Sequence, residues 1–488
     1  MRGVLIAGAL LQLLVLVRPA AGQGLPPQGA AAQNVAAQNA TGQSGTLLGG
    51  QAPEIELRAT AAAIYSDNVA HAATNPLSDT VLDALAGVRV DHIGPRLSAD
   101  IDLSVAELDY LRGTSSSQTL PAGHVNVIGV MVPERFTWMV RDDVGQISNE
   151  PLNALDSLDR QNVNLLSTGP DVFLPLSTRN SLELQARYGT TNYQYTNIDS
   201  ARYNGEVGLV RTLASNSTLA LVQDYEKIDY KVSGIPSVDL APSFLRYTLE
   251  ARRTYFVAEG GSEWLRTDLG KRRTPHALLT LQRLISTRLT LNAEYQHGFS
   301  DAGDAFLESV TNRFTNGTYQ NVQAVAGPFE SDSAYAMLIR GAGRMLIAAE
   351  VTWNRENYQS NVALDRRVAG ADLVVDYRLS SRLTLAGKAR WRRETFPETG
   401  LADSGSEVSV GLNRQLTPYL QLAATYLRGH GAGNIILDRF TEDRVTLALI
   451  YASSSSRDRI FDPGAQFRFY QRPMRELSTP QSPTAPEQ

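Results

Sequence analysis

Along much of this chain apolar and polar residues alternate strictly. From Arg288 to Gln296 the apolar Leu289, Leu291, Ala293 and Tyr295 take every second position, and Arg288, Thr290, Asn292, Glu294 and Gln296 take the others. Successive side chains of a strand point to opposite faces, so this segment predicts a strand with one apolar and one wet face. From Arg382 to Arg392, Leu383, Leu385, Gly387, Ala389 and Trp391 oppose Thr384, Lys388, Arg390 and Arg392. From Ser181 to Tyr188, Leu182, Leu184, Ala186 and Tyr188 oppose Glu183, Gln185 and Arg187. Leu420, Leu422, Ala424 and Tyr426 repeat the layout, as do Val445, Leu447, Leu449 and Tyr451. One such run fits any antiparallel sheet; its recurrence calls for a large one.

The punctuation between runs recurs too. Leu176-Ser-Thr-Arg-Asn-Ser-Leu182, Leu284-Ile-Ser-Thr-Arg-Leu289 and Leu379-Ser-Ser-Arg-Leu383 are copies of one polar turn, and Leu213-Ala-Ser-Asn-Ser-Thr-Leu219 and Leu416-Thr-Pro-Tyr-Leu420 are looser ones. Ser, Thr, Asn and Pro favour such tight turns. His92-Ile-Gly-Pro-Arg96, Val132-Pro-Glu-Arg135 and Gly341-Ala-Gly-Arg344 extend the series, and a weaker turn falls at Arg252-Arg253. Several turn centres lie about 37 residues apart, which fits two strands of about ten residues, one short turn and one longer loop. A β-propeller would divide about 40 residues among four shorter strands. The polar stretches Asn192–Ala201, Ser233–Pro242, Ser300–Thr318, Asn354–Arg366 and Phe396–Ser404 are expected to be the longer loops.

With a first strand near 54–64 and a last near 442–451, the expected count is about 20 strands, in a range of roughly 18 to 22. Asn321–Gly327 and Ala334–Arg340 compete for one of them. Tyr188, Tyr225, Tyr295, Trp353, Trp391 and Tyr426 each follow a turn by about eight residues on the apolar face, the spacing of an interfacial aromatic girdle. The competing arrangement is a soluble β-sandwich with these rings in its core, and the apolar series is read here as never changing sides. The expected fold is therefore all-β: a transmembrane, antiparallel, up-and-down β-barrel with short periplasmic turns and long extracellular loops. Closure removes the exposed edges that so long a sheet would otherwise present.

The N-terminus fits that destination. Arg2 precedes an apolar run from Val4 to Val17, then Arg18-Pro19 and the small residues Ala20-Ala21-Gly22. This is the pattern of a secretory signal cleaved after Gly22, too short for a membrane-spanning helix. The expected organisation is a signal peptide at 1–22, a Gln/Ala/Gly-rich periplasmic leader at 23–52, the barrel at 53–452 and a tail at 453–488. Ser478-Thr-Pro-Gln-Ser-Pro-Thr-Ala-Pro-Glu-Gln488 makes that tail disordered by composition. An uncleaved N-terminal anchor is the alternative.

Composition narrows the chemistry. The 488 residues carry a formal charge of -5, with no basic excess for nucleic acid. There is no Cys, hence no thiolate nucleophile, no cysteine metal site and no acceptor for lipoprotein acylation. His71, His92, His124, His276, His297 and His430 show no metal-ligand spacing, and neither a nucleophile elbow nor a phosphate loop is present. Asp142-Asp143 and Asp301/Asp304 are acidic pairs more often solvated than metal-binding. No enzyme activity, cofactor or metal is expected. The polar face instead offers Glu183, Arg187, Glu294, Glu350, Lys388, Arg390 and Arg392 as pore-lining candidates, and Lys388-Ala-Arg390-Trp-Arg392-Arg393 tilts one patch positive. The same charges would serve equally to cross-link a filled lumen.

Short motifs carry a resemblance. Ile64-Tyr-Ser-Asp-Asn-Val69, Pro133-Glu-Arg-Phe-Thr-Trp138, Asp142-Asp-Val-Gly-Gln146, Gly169-Pro-Asp171 and Ala186-Arg-Tyr-Gly189 resemble a proteobacterial family of porin-like outer-membrane β-barrels associated with exopolysaccharide and PEP-CTERM (exosortase) gene clusters. The resemblance implies a Gram-negative envelope location and a part in polysaccharide export. Partners so implied are outer-membrane lipid, polysaccharide or small solutes, and periplasmic export components. The family supplies no catalytic residue. Three classes stay open: a transport channel, a structural or assembly barrel with a filled lumen, and, third, an envelope enzyme.

Overall fold

The computed structural model describes residues 54–148, 160–232, 236–268, 270–311, 327–359, 361–434 and 439–453. The expected signal peptide and leader lie outside these residues, as does the tail beyond Ser453. The described chain forms twenty strands. The first seven are β1 (Glu54–Ser66), β2 (Asp79–Ile93), β3 (Leu97–Tyr110), β4 (Gln118–Val132), β5 (Phe136–Ser148), β6 (Arg160–Pro175) and β7 (Asn180–Tyr193). Then come β8 (Ser200–Ala214), β9 (Ser217–Tyr230), β10 (Val238–Ala251), β11 (Thr254–Thr267), β12 (Gly270–Ser286), β13 (Leu289–Ser300) and β14 (Phe329–Ala342). The last are β15 (Met345–Tyr358), β16 (Arg366–Ser380), β17 (Leu383–Phe396), β18 (Leu401–Gln415), β19 (Leu420–Gly433) and β20 (Phe440–Ala452). A helix, α1 (Ala302–Thr311), follows β13, and a short 3-10 turn spans Val362–Leu364.

Every strand pairs antiparallel with the next, and β1 pairs antiparallel with β20 from Arg58↔Ala452 to Ser66↔Arg444. The sheet thus closes into an up-and-down barrel with no free edge.

All nine expected turns lie at one end, including the weak one at Arg252-Arg253. In Ser177-Thr-Arg179, Ser286-Thr-Arg288 and Ser380-Ser-Arg382 the serine Oγ accepts the arginine backbone N–H at 3.3 Å in each case. The repeated sequence is a side-chain-closed turn, which explains its recurrence. Four of the nine hairpins also carry a register shift just before the turn, between Val130 and Val132, Thr212 and Ala214, Leu284 and Ser286, and Arg378 and Ser380. Such bulges sharpen local twist where the chain must reverse.

The other end departs from expectation. Strands run 12 to 17 residues, not ten, and take over much of the stretches read as loops. Phe396–Ser404 shrinks to the four-residue turn 397–400, and Asn354–Arg366 to 359–365. β12 begins at Gly270, three residues after β11 ends at Thr267. Ala334–Arg340 belongs to β14, while Asn321–Ala326 lies outside the described residues.

The two faces explain the extra length. Beside the short turns, the outer face bears exposed apolar side chains such as Leu221, Val351, Leu373, Val408 and Leu447. Tyr188, Tyr225, Tyr295, Trp353, Trp391 and Tyr426 all sit on this outer face. Beyond them the alternation inverts, contrary to the reading that it never changes sides. On β9, Lys227 and Asp229 follow Tyr225 outward, while Ile228 turns inward and is wholly buried. On β10 Asp239 faces out between the inward Val238 and Leu240; on β11 Arg266 faces out beside the inward Leu265. Fourteen residues at a tilt near 45° rise roughly 33 Å, more than an apolar band of about 25 Å. The strand ends therefore stand in water and follow the pattern of a soluble sheet.

The boundary has its own repeat. The Tyr225, Tyr295 and Tyr426 hydroxyls donate to Asp239, Asp332 and Asp443 at 2.9, 3.2 and 2.5 Å. Each aspartate stands on the next strand, opposite the residue two beyond its tyrosine.

Candidate functional site

The barrel interior is the one large polar concavity that the fold creates. Glu183, Arg187, Glu294, Glu350, Lys388, Arg390 and Arg392 all occupy inward positions, since their strand neighbours Leu184, Tyr188, Tyr295, Val351 and Trp391 face out. Their surroundings differ. Arg187 pairs with Asp171 and donates from Nη1 to the Pro170 carbonyl at 2.8 Å. Arg390 Nε donates to Asp372 Oδ1 at 2.7 Å, and Arg392 Nη2 to Glu394 Oε2 at 3.1 Å. Glu294 accepts from Thr280 Oγ1 at 3.2 Å.

The expected positive patch is thereby corrected. Asp372 and Glu394, supplied by β16 and by β17 itself, neutralise Arg390 and Arg392. Lys388, Glu183 and Glu350 are left with no hydrogen bond or ion pair among the described residues. Glu350 stands directly across from Asp372, so like charges face each other there.

Larger ionic groups were not singled out in the sequence. In one, Arg246 Nε donates to Glu259 Oε1 at 2.5 Å and lies 3.6 Å from Glu206. His276 Nε2 meets Glu259 Oε2 at 3.0 Å, and its ring stacks on Phe244 with centroids 4.5 Å apart. In another, Arg366 forks onto both Glu356 oxygens at 2.6 Å and reaches Glu394 at 3.0 Å. Tyr358 Oη donates to the same Glu356 at 2.9 Å. Such charges in a low-dielectric setting are tolerated only when each is paired and hydrogen-bonded.

The third group anchors α1. Arg202 on β8 pairs with Asp301, with Asp304 at 2.8 Å and with Glu226 at 3.0 Å. Tyr230 Oη donates to Asp301 Oδ2 at 3.2 Å. Burial pushes the Asp304 carboxyl up from its ordinary value against the pull of Arg202, with Asp301 and Glu226 alongside adding to the rise. From this anchor Phe306, wholly buried, enters a pocket of Ile147, Val163 and Leu165 on β5 and β6. Ala305 packs against that cluster and also against Phe329, Tyr358 and Leu364 beside β14 and β15. The helix therefore lies inside the loop end of the barrel, reaching from the β14–β15 side to the β5–β6 side.

Among the histidines, His297 stands between a hydroxyl and a carboxylate, with Thr274 Oγ1 3.0 Å from its Nε2 and Asp332 Oδ1 2.7 Å from its Nδ1, while Thr274 Oγ1 also donates to Glu330 at 2.6 Å. Ser66 and His71 both bond Glu442, at 2.6 and 3.1 Å, so no Ser–His contact of the kind a triad uses is made there. His124 faces Asp100 at 3.5 Å. Asp143 turns inward to Arg141 at 2.6 Å, whereas Asp142 takes the opposite face and accepts from Asn164 at 2.6 Å. Adjacent strand residues cannot converge on one ion. No group of three metal-ligating side chains occurs among the described residues.

No protein-family model and no curated protein matches the chain. Solved structures similar to it include the FrpB iron transporter of Neisseria meningitidis, at 7% identity and a TM-score of 0.40, covering 83% of each chain. The ferric enterobactin receptor PfeA of Pseudomonas aeruginosa has 10% identity and a TM-score of 0.42, covering 82% of this chain and 81% of its own. OccAB3 of Acinetobacter baumannii has 8% identity and a TM-score of 0.36, covering 82% and 99%. Values this low carry neither substrate nor activity across.

Proposed function

We propose that this protein is a porin-like channel of the Gram-negative outer membrane, serving envelope transport, and is not an enzyme. The observation that supports it most is the exposed apolar band around a closed barrel whose interior is charged. Water does not tolerate the first and lipid does not tolerate the second on its own side. The short turns would face the periplasm and the longer loops the exterior. The tyrosines and tryptophans of the outer face would form the girdle at the outer headgroups. Of the inward candidates, Lys388, Glu183 and Glu350 are the ones left free to meet a solute. With the family resemblance, they point to polysaccharide export as the finer role, in concert with periplasmic export components.

One observation favours a second reading, a scaffold with an occluded lumen: α1 is wedged in the loop-end mouth by Phe306 and Arg202. Single-channel conductance of the refolded protein in a planar bilayer separates the two. The channel reading expects stable, ion-selective steps whose selectivity shifts in Lys388→Gln. An inserted, heat-modifiable but silent barrel would overturn it in favour of the scaffold.

A further inference from the structure

The outer face of β15–β17 carries positive charge that no carboxylate among the described residues pairs with. Trp353 on β15 and Trp391 on β17 are both exposed, and each is followed two residues on by an arginine, Arg355 and Arg393. Between them on β16 lie Arg367, Ala369 and Ala371. The register sets Trp353 across from Ala369, Trp391 across from Ala371, and Arg355 directly across from Arg367. Arg393 is also level with Ala369. Two strand spacings and a two-residue offset along the strands separate the indoles by about 12 Å. The result is a shallow groove with two indole walls, an alanine floor and arginines at its loop end.

Like charges directly opposite in a sheet are destabilising. Arg355 donates to Asn357 Oδ1 at 3.3 Å. Arg367 and Arg393 have no hydrogen bond or ion pair among the described residues. The nearest outward carboxylate, Asp332 across from Arg355, is occupied by His297 at 2.7 Å and Tyr295 at 3.2 Å. Of the other outward cations at this level, Arg266 and Lys271 also face each other without an ion pair among the described residues, but two have acids and one an aromatic ring. Lys227 pairs with Asp229 at 3.0 Å, and Arg428 with Asp443 at 3.6 Å. Arg273 lies over the Trp264 ring at 5.1 Å.

We infer that this groove binds a phosphorylated, multiply acylated glycolipid of the outer leaflet, its phosphate held by Arg355, Arg367 and Arg393 and an acyl chain lying between Trp353 and Trp391. Guanidinium forks match phosphate oxygens, and indoles suit the level where headgroup meets hydrocarbon. This inference rests on the outer-membrane reading, which places the longer loops outside.

The test uses the refolded full chain in detergent with bis-phosphorylated lipid A as probe, read by native mass spectrometry and titration calorimetry. One lipid should bind the unaltered protein. The combined Arg355→Gln, Arg367→Gln, Arg393→Gln variant should bind ~100-fold more weakly, given three charge-assisted contacts. Lys227→Gln with Arg428→Gln should change affinity less than about threefold, since each of these cations has its own acid, Asp229 and Asp443. Removing the lipid phosphates should mimic the triple variant, and millimolar inorganic phosphate should not displace the lipid. Equal binding by the triple variant or by the dephosphorylated lipid overturns the inference, and displacement by phosphate alone overturns the groove. Heat-modifiability and insertion into vesicles are measured on every sample. A barrel that inserts and retains no lipid A overturns this inference but not the membrane reading; one that stays soluble without detergent overturns both.

Discussion

The short-turn half of the barrel and its loop end are built from the same strands on opposite rules. Near the turns, Leu221 faces out and Asp224 faces in; a few residues on, Lys227 faces out and Ile228 faces in. The solvent on the outside changes while the backbone continues unbroken. On the membrane reading the outer face of the lower half meets hydrocarbon, and stability comes mainly from closure of the hydrogen-bond ladder, with small inward clusters such as Met337, Ile339, Leu346 and Ala348 beside the turns. In the upper half the outer face meets water, and the interior must supply an apolar core. That core needs more atoms than one layer of strand side chains provides, and α1 brings them in with Phe306. The mouth of the barrel is thus narrowed for reasons of folding, whatever passes below.

Phe306→Ala should break this contrast most strongly. Truncating a wholly buried aromatic costs about 3–5 kcal/mol, and here the loss falls on the docking of α1, not on the barrel. Limited proteolysis should then cut near 302–311, while the heat-modifiable mobility of the barrel persists. Channel conductance should rise. Unchanged proteolysis and conductance would mean that the helix is held by Arg202 alone.

Arg366→Met probes the ionic wall below α1. It leaves Glu356 buried without its cation and Glu394 with Arg392 alone, and breaking such a group costs about 3–5 kcal/mol. Arg390→Gln, whose partner Asp372 is less buried, should cost clearly less. Urea unfolding in thin phospholipid vesicles, followed by tryptophan fluorescence, ranks the two. Equal losses would argue against the difference in burial as the cause.

The contrast also governs how much could be read from residues alone. All nine turns were legible because short turns are closed by local Ser, Thr, Asn, Gly and Pro chemistry, in three cases by the Ser-x-Arg closure, that writes itself into the sequence. The strand number followed. Strand ends were not legible, because a one-face pattern was followed only while its apolar side stayed outside. Once Ile228, Val238, Leu240 and Leu265 took the inner positions, the polar outer residues read as loop. The helix was missed although Ala302, Ala305 and Phe306 stand at helical spacing, since ten residues in a long polar segment give a weak signal. The partners of Arg390 and Arg366 depend on which residues of neighbouring strands face each other, and register is not written locally.

Leu221→Arg and Asp239→Arg place the same charge on either side of the Tyr225 boundary. The first should cost about 2–4 kcal/mol near mid-band and the second no more than about 1. The same vesicle unfolding assay reads both. A soluble barrel would accept the first as readily as the second, so equal costs would count against the membrane reading itself.

The finest test acts on the boundary alone. Tyr426 donates to Asp443 at 2.5 Å, and Tyr225 and Tyr295 repeat the contact with Asp239 and Asp332. Tyr426→Phe keeps the ring at the interface and removes only the hydroxyl. An exposed hydrogen bond to a charged acceptor is worth on the order of 1 kcal/mol, so the loss in vesicles should be of that size. It should disappear in an Asp443→Ala background if the pair acts as a unit, because the second mutation then removes what the first had already lost. A loss that persists there would assign the hydroxyl to headgroup water, and the threefold repeat would mark the height of the bilayer without bracing the strands.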